Sequence, residues 1–255
     1  MTTPTTHEPN ETADAGINRT IMIDARHIHR CIAVIIGLLI MAAVWALVAV
    51  YPLDLGGTAV GDVSVRLFDL DEERGFPAAF SFALLLAAGG AAFLTTWAVG
   101  AEPSIAQYSG RWRLLALALA FVAFDEAFII HEWINGYLRA TFDLTGFLYY
   151  AWVIPYGIGA LVIAALMVAP LSTLPKRTAG LLVVGGMLYV LGAAGAEVFG
   201  GQLKSSGAPM YLYEAEIFVE ELLEWAGLWV FIGGMLELLG GTTFHFGVRA
   251  VNQPR

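Results

Sequence analysis

The sequence predicts an all-α integral membrane protein, built as a bundle of six transmembrane helices. Hydrophobic residues make up 58% of the 255 residues and charged residues only 14%, whereas soluble domains carry about 25% charged residues. The mean hydropathy is +0.71. Six separate runs reach the ~20 apolar residues that a helix needs to cross a bilayer. They are residues 31–51, 78–99, 113–135, 148–169, 179–199 and 213–239.

The segments around these runs predict a single transmembrane domain, 29–241, between two short tails. Residues 1–28 are polar and aperiodic, which indicates a disordered cytoplasmic tail. The first run is too long for a signal peptide and lacks a cleavage site. The second run has no acidic residue, and the connection before it, 52–77, is acidic. Residues 242–255 form a second short cytoplasmic tail.

The aromatic and basic residues predict how the runs are placed in the membrane. Tyr149, Tyr150 and Trp152, at the start of the fourth run, are typical of the membrane–water interface. Lys and Arg are more frequent in the segments that are cytoplasmic if both termini are inside. We therefore expect a protein of the inner cell membrane with cytoplasmic N- and C-termini and the acidic connection outside.

Acidic residues lie within the third, fifth and sixth runs, and their positions indicate one cluster. With alternating helix directions, all of them fall in the outer half of the membrane except Glu237, which falls at the inner end of the sixth run. At ~100° per residue, Asp125 and Glu132 point the same way on the third helix. Small residues before Glu197, in GAAGAEVFGG, favour close helix contact. The predicted cluster contains Asp125, Glu126, His131, Glu132, Glu197, Glu220, Glu221 and Glu224.

Carboxylates in a bilayer need compensating positive charge, and no Lys or Arg lies at their depth. A carboxylate at the bilayer centre costs roughly 2.5–3.5 kcal/mol even on the lenient insertion scale. One histidine with several acids on helices is typical of di-iron and di-manganese bundles. His131, Glu132, Glu197, Glu220, Glu221 and Glu224 are the predicted ligands, and Asp125 and Glu126 are the predicted catalytic residues, either as further ligands or as bases beside the metal. Iron or manganese is favoured over zinc because only one nitrogen ligand is present.

Three functions are compatible with this cluster. A metal-dependent oxidoreductase acting on a lipid-like or quinone-like substrate is the first hypothesis, in which membrane lipid or a small hydrophobic molecule is the partner. A proton or cation relay through the same acids is the second. A structural polar cluster without catalysis is the third. A serine or cysteine nucleophile with a matching His is not recognisable, and the scattered basic residues do not predict nucleic-acid binding.

Four motifs resemble an uncharacterised family of bacterial multi-pass membrane proteins. They are FDEAFIIHEW at 124–133, the following FDLTGFLYYAWVIPYG, GAAGAEVFGG, and VEELLEWAG. The resemblance covers residues 115–240 and is carried by a DE-x4-HE helix, a Gly-rich helix ending in Glu and an EE-x2-E helix. It implies that the eight residues of the predicted cluster belong to one constellation, and it implies no activity.

Overall fold

The computed structural model describes residues 24–98 and 106–240, and within these ranges it is helical, without β-strands. The predicted tails therefore lie outside the described residues, except for 24–28. There, the Asp24 side chain accepts a hydrogen bond from the Arg26 backbone N–H at 2.9 Å and caps the first helix, which begins at Ala25. The helices are α1 (Ala25–Val50), α2 (Ala59–Phe68), α3 (Phe76–Ala98), α4 (Ser109–Phe128), α5 (Ile130–Phe142), α6 (Val153–Ser172), α7 (Lys176–Val190), α8 (Glu197–Ser206) and α9 (Met210–Leu239).

The 30-residue α9 is the central helix of the unit formed by residues 24–240. It packs against α7 most extensively, and also against α3, α8 and α1. Two glycines allow the α7–α9 contact, because a Cβ on Gly185 would lie 2.5 Å from the Phe231 backbone nitrogen. A Cβ on Gly227 would meet the Tyr189 backbone nitrogen in the same way. The two helix backbones therefore touch at this crossing.

Five helical segments are long and apolar enough to cross a membrane, and a bent helix pair makes a sixth if it is counted as one span. The five are α1, α3, α6, the α7–α8 segment and α9. The prediction of an all-α chain is thus confirmed. The third predicted run, 113–135, differs, because α4 and α5 meet at an angle of 77°.

The break between α4 and α5 lies at Ile129, which has a left-handed backbone conformation with φ +57°. A β-branched residue rarely adopts this conformation, so local contacts must hold it. The Asp125 carboxylate supplies one by accepting a hydrogen bond from the His131 backbone N–H at 2.7 Å, within the first turn of α5. Asp125 and Glu132 consequently lie on different helices, and the seven-residue spacing that predicted a shared helix face does not apply.

The fifth predicted run is also longer and less regular than predicted. A π-helical segment, Leu191–Ala196, connects α7 to α8, and helical structure continues to Ser206. A π segment inserts extra residues into the helical turn and changes where the following side chains point. Glu197 is the first residue after it.

Candidate functional site

All eight residues of the predicted cluster line one cavity of about 400 Å³. Its walls come from α4, α5, the α7–α8 segment and α9, together with the connection between α2 and α3 and the residues that precede α6. The sequence therefore identified residues that the fold brings to one place. It did not identify the part of the wall that comes from the connections.

The cavity is strongly acidic. In the described part of the chain, ten carboxyl side chains and three basic side chains line it. The acids are Asp71, Glu72, Glu73, Asp125, Glu126, Glu132, Glu197, Glu220, Glu221 and Glu224, and the basic residues are His131, Arg139 and Lys204. Arg139 and Lys204 thus lie close enough to contribute positive charge, although neither lies within a predicted run.

The cavity is exposed at one end. Asp71 and Lys204, at the end formed by the connections, are exposed residues of its lining; we call this end the mouth. Tyr189 of α7 and Glu224 of α9 also line the cavity. One turn further along, the Gly185–Gly227 crossing brings α7 and α9 into backbone contact. The cavity therefore does not continue between these two helices.

His131 is held by Asp125 in the wall of the cavity. The His131 Nδ1 atom lies 3.1 Å from Asp125 Oδ2, and the Tyr156 hydroxyl donates to Asp125 Oδ1 at 2.9 Å. Asp125 is buried, with 4% of its surface exposed. The bend at Ile129 thus positions the imidazole, because one carboxylate both caps α5 and fixes the ring.

The other nitrogen of His131 faces an acid that the sequence did not identify. His131 Nε2 lies 3.5 Å from Glu73 Oε1, which is longer than the ~2.7–2.9 Å of a strong charged hydrogen bond. Glu126 interacts electrostatically with both Glu73 and His131. Glu73 lies in the acidic connection, more than 50 positions from His131, and no sequence pattern links the two.

Glu197 and Glu221 have hydrogen-bond donors from neighbouring helices. The Trp152 Nε1–H donates to Glu197 Oε1 at 3.1 Å. The Ser81 hydroxyl lies 3.5 Å from Glu221 Oε2 and itself accepts from Trp225 Nε1 at 2.8 Å. Trp152, read from the sequence as an interfacial aromatic, is therefore also part of the cavity wall.

At the mouth, Lys204 belongs to a hydrogen-bond network with two tyrosines. The Lys204 Nζ donates to the hydroxyls of Tyr150 and Tyr213 at 3.0 and 3.2 Å, and Tyr213 donates to Asp71 Oδ1 at 3.3 Å. Burial raises the pKa of the Tyr150 hydroxyl well above its ordinary value, so this hydroxyl stays protonated at neutral pH. The described hydrogen bonds of Lys204 therefore go to other residues of the cavity wall.

The small-residue pattern before Glu197 has one residue that matters for helix contact. A Cβ on Gly192 would lie 2.8 Å from both the Glu220 carbonyl oxygen and the Glu224 Cγ atom. At Gly195 it would meet only a Leu191 methyl group, at 3.6 Å. Gly192 therefore lets the acidic turn of α9 approach the π segment, as predicted from the sequence.

Three further glutamates of α9 lie outside this cavity. Glu214 accepts a hydrogen bond from the Tyr51 hydroxyl at 3.3 Å. Glu216 is buried against Gly200 and interacts with the Glu220 side chain on the same helix. Glu237 bonds to Thr178 and pairs with Arg177 at the opposite end of α9.

The predicted metal ligands are not arranged around a common point. Among the described residues, no group of three or more His, Cys, Asp and Glu side chains could hold a metal ion as placed. The sequence-predicted ligand set of His131, Glu132, Glu197, Glu220, Glu221 and Glu224 is thus not assembled in this conformation. Two members of this set have protein donors instead, since Trp152 donates to Glu197 and Ser81 to Glu221.

A second, largely apolar cavity adjoins the acidic one. It has a volume of about 220 Å³ and lies between α1, α2 and α9. Leu70 and Ile217 line both cavities and so separate them. Ala46, Leu47 and Phe218 are among its apolar lining residues. An apolar chain placed here would end beside the acidic cavity.

Comparison with known proteins gives one match. No curated protein and no solved structure matches the chain. The model of a domain of unknown function, DUF8692, matches residues 33–238, which includes the first two predicted spans as well as the motifs noted above. The resemblance to an uncharacterised family is thereby confirmed, while a bacterial origin stays a prediction. The chain belongs to the DUF8692 family.

Proposed function

We propose that this is an integral membrane protein that binds a divalent metal cation in its acidic cavity. The observation that carries the proposal is the imbalance, among the described residues, of ten carboxyl groups against three basic groups around one cavity. Burying several carboxylates together is unfavourable unless a positive charge compensates them. Lys204 is already engaged by its tyrosines, so the protein's own cations compensate only part of this charge.

His131, Glu73 and Glu126 are the groups best placed to begin such a site. A metal-binding histidine commonly has its other ring nitrogen bonded to a carboxylate, which fixes the ring. Asp125 has this relation to His131 Nδ1, and Nε2 points toward Glu73. Two neighbouring ligands bound to one metal at about 2.1 Å lie roughly 3.0 Å apart in an octahedral site and roughly 3.4 Å apart in a tetrahedral one, so a small movement from the Nε2–Oε1 separation of 3.5 Å would bring both atoms to a metal. Glu126 would complete the set by rotating its side chain.

Iron or manganese suits this donor set better than zinc does, because carboxylates dominate and one imidazole is present. Glu220, Glu221 and Glu224 line the same cavity and would hold a second ion. In this proposal the protein is a metal-dependent oxidoreductase acting on a lipid-like or quinone-like molecule. The adjoining apolar cavity supports the lipid-like substrate, since it lies beside the acids and is separated from them by two side chains.

We place both termini in the cytoplasm and the mouth of the cavity on the outer side of the inner membrane. Two basic residues at the start of α7, Lys176 and Arg177, support this orientation. The aromatic side chains of α5 are consistent with an outer interfacial position of the mouth. Under this orientation, a substrate reaches the acids from the outer leaflet.

Elemental analysis of the protein purified in detergent tests the proposal. We expect stoichiometric iron or manganese in the wild type, and loss of that metal in His131→Ala and Glu221→Gln. The matched control is Asp62→Asn, which alters an exposed acid of α2 outside the cavity and should keep the metal. Wild-type protein that stays metal-free after incubation with Fe²⁺ or Mn²⁺ would refute metal binding.

Reconstitution into liposomes separates metal binding from the relay hypothesis. A metal-free protein that carries protons or cations, with flux lost in Glu221→Gln, would favour the relay. The backbone contact of α7 and α9 at Gly185 and Gly227 leaves no space between these two helices for the acids to continue, which favours a binding site over a continuous pathway. If neither metal nor flux is found and the variants remain folded, the acids have a structural role.

A further inference from the structure

Among the residues that the structure describes, the Arg139 side chain has no hydrogen-bond or ion-pair partner, unlike the other two basic side chains of the cavity. His131 pairs with two carboxylates, and Lys204 donates to two tyrosines. The Arg139 Nε atom is buried without a hydrogen-bond partner. Within the described residues, the guanidinium contacts the Tyr149 ring, with its central carbon 3.6 Å from the ring centroid. Arg139 is therefore the cavity's basic group with unused hydrogen-bond donors.

The absence of an ion pair is unusual because ten carboxyl groups line the same cavity. A guanidinium has five N–H donors in a rigid plane that matches carboxylate and phosphate oxygens. Stacking on Tyr149 fixes that plane and leaves its edge open to a partner. Since no carboxylate of the described residues occupies this edge, its geometry suits an anion that comes from outside the chain.

The position of α5 indicates which anion. Trp133 and Tyr137 are 80% and 70% exposed, and Phe142 is exposed at the end of the same helix. Exposed Trp and Tyr on a helix bent away from a membrane-crossing helix are typical of the interface, at the level of lipid head groups. Arg139 lies on this helix and faces the cavity. Phosphate is the anionic group found at that level of a membrane.

We propose that Arg139 binds the phosphate group of the protein's ligand at the mouth of the cavity. This inference rests on the proposed function, because a metal cation among the acids removes the repulsion that they would exert on an anion. Lys204 adds positive charge at the same mouth while it keeps its hydrogen bonds to Tyr150 and Tyr213. The ligand class is thus a phosphate-bearing molecule, whose source is a lipid head group or free phosphate.

Binding measurements on the full chain in nanodiscs test this inference. Inorganic phosphate is titrated by calorimetry into Mn²⁺-loaded protein in phosphatidylcholine discs, and phosphatidic acid is offered in a parallel set of discs. We expect binding in at least one arm, weakened tenfold or more in Arg139→Ala and less in Arg139→Lys, which keeps the charge but loses the planar fork. Arg74→Ala is the matched control, since Arg74 is an exposed arginine of the neighbouring connection, and it should bind as the wild type does.

The outcomes are distinguishable from failure of the proposed function. Mn²⁺ binding is measured first, by calorimetry, in each variant. If Mn²⁺ binds but neither phosphate nor phosphatidic acid does, or if Arg139→Ala and Arg74→Ala weaken binding equally, the Arg139 inference is wrong while metal binding stands. If Arg139→Ala fails to fold, Arg139→Lys decides the question, because unchanged phosphate affinity in that folded variant would overturn the planar-fork argument. Binding of phosphatidic acid alone identifies a lipid ligand, and binding of both identifies the phosphate group.

Discussion

Asp125 gives the most informative single perturbation. Its carboxylate accepts from the His131 backbone N–H, pairs with the His131 ring and accepts from the Tyr156 hydroxyl, at 2.7, 3.1 and 2.9 Å. Asp125→Ala leaves these three groups without their partner in a buried site. At about 1–3 kcal/mol for each unsatisfied donor, we expect a loss of at least about 3 kcal/mol in the free energy of unfolding. Asp125→Asn keeps an acceptor and should lose about 1 kcal/mol.

The assay is unfolding by SDS titration in mixed micelles, followed by far-ultraviolet circular dichroism. Glu132→Ala is the matched control, because Glu132 is a half-buried acid next to His131 with no side-chain hydrogen bond described. It should change the free energy of unfolding by no more than about 0.5 kcal/mol. If Asp125→Ala is as stable as Glu132→Ala, Asp125 does not hold the bend and the account of the α4–α5 junction is wrong.

Three further predictions concern the backbone and the orientation. Gly192→Ala should cost about 1–3 kcal/mol in unfolding free energy and weaken metal binding, because its Cβ would meet α9 at 2.8 Å. Gly195→Ala is the control and should be near neutral in both assays. Equal losses of unfolding free energy in the two variants would contradict the argument. Ile129→Gly removes the backbone strain of a β-branched residue in the left-handed conformation and should be neutral or stabilising in SDS titration. Ala127→Gly, within α4, should cost about 1 kcal/mol in unfolding free energy. A similar loss at both positions would show that residue 129 is not strained. A cysteine replacing exposed Ser205, in a chain freed of its native cysteine, should react with an impermeant maleimide added to intact cells; protection until lysis would reverse the proposed orientation.

The fold class was predictable because lipid solvation imposes a simple rule on sequence. Long apolar runs can satisfy their backbone only as helices, so five of the six predicted runs correspond to long apolar helical segments. The break at Ile129 was not predictable, since FDEAFIIHEW contains no Pro or Gly to mark it. It depends on a side-chain cap from Asp125, and such contacts leave no periodic signal. The π segment was hidden for the same reason, since GAAGA is compatible with an ordinary helix.

The sequence predicted which eight side chains come together but not how they are arranged. Charge in an apolar run is costly, and all eight residues chosen on that ground line one cavity. Glu73 and Asp71 belong to the connection 52–77, and nothing in a solvated acidic connection distinguishes an acid that turns inward. Tyr150 was interpreted as an interfacial aromatic and Tyr156 was not singled out, although their hydroxyls bond to cavity groups. The polar partners of a buried charge come from distant parts of the chain, so a local sequence pattern does not predict them.

The broken helix explains how a chain with so many acids keeps them near each other and near water. In a straight third helix, His131 would lie at the end of the span, and the helical turn alone would set the direction of its side chain. The 77° bend instead directs α5 across the mouth, so that Asp125 stays in the wall of α4 while His131 turns toward Glu73. The same bend gives α5 its exposed aromatic face and leaves Arg139 on the cavity side. The proposed cation site and the proposed anion site therefore depend on one backbone feature, and a variant that straightens the junction should lose both bindings together.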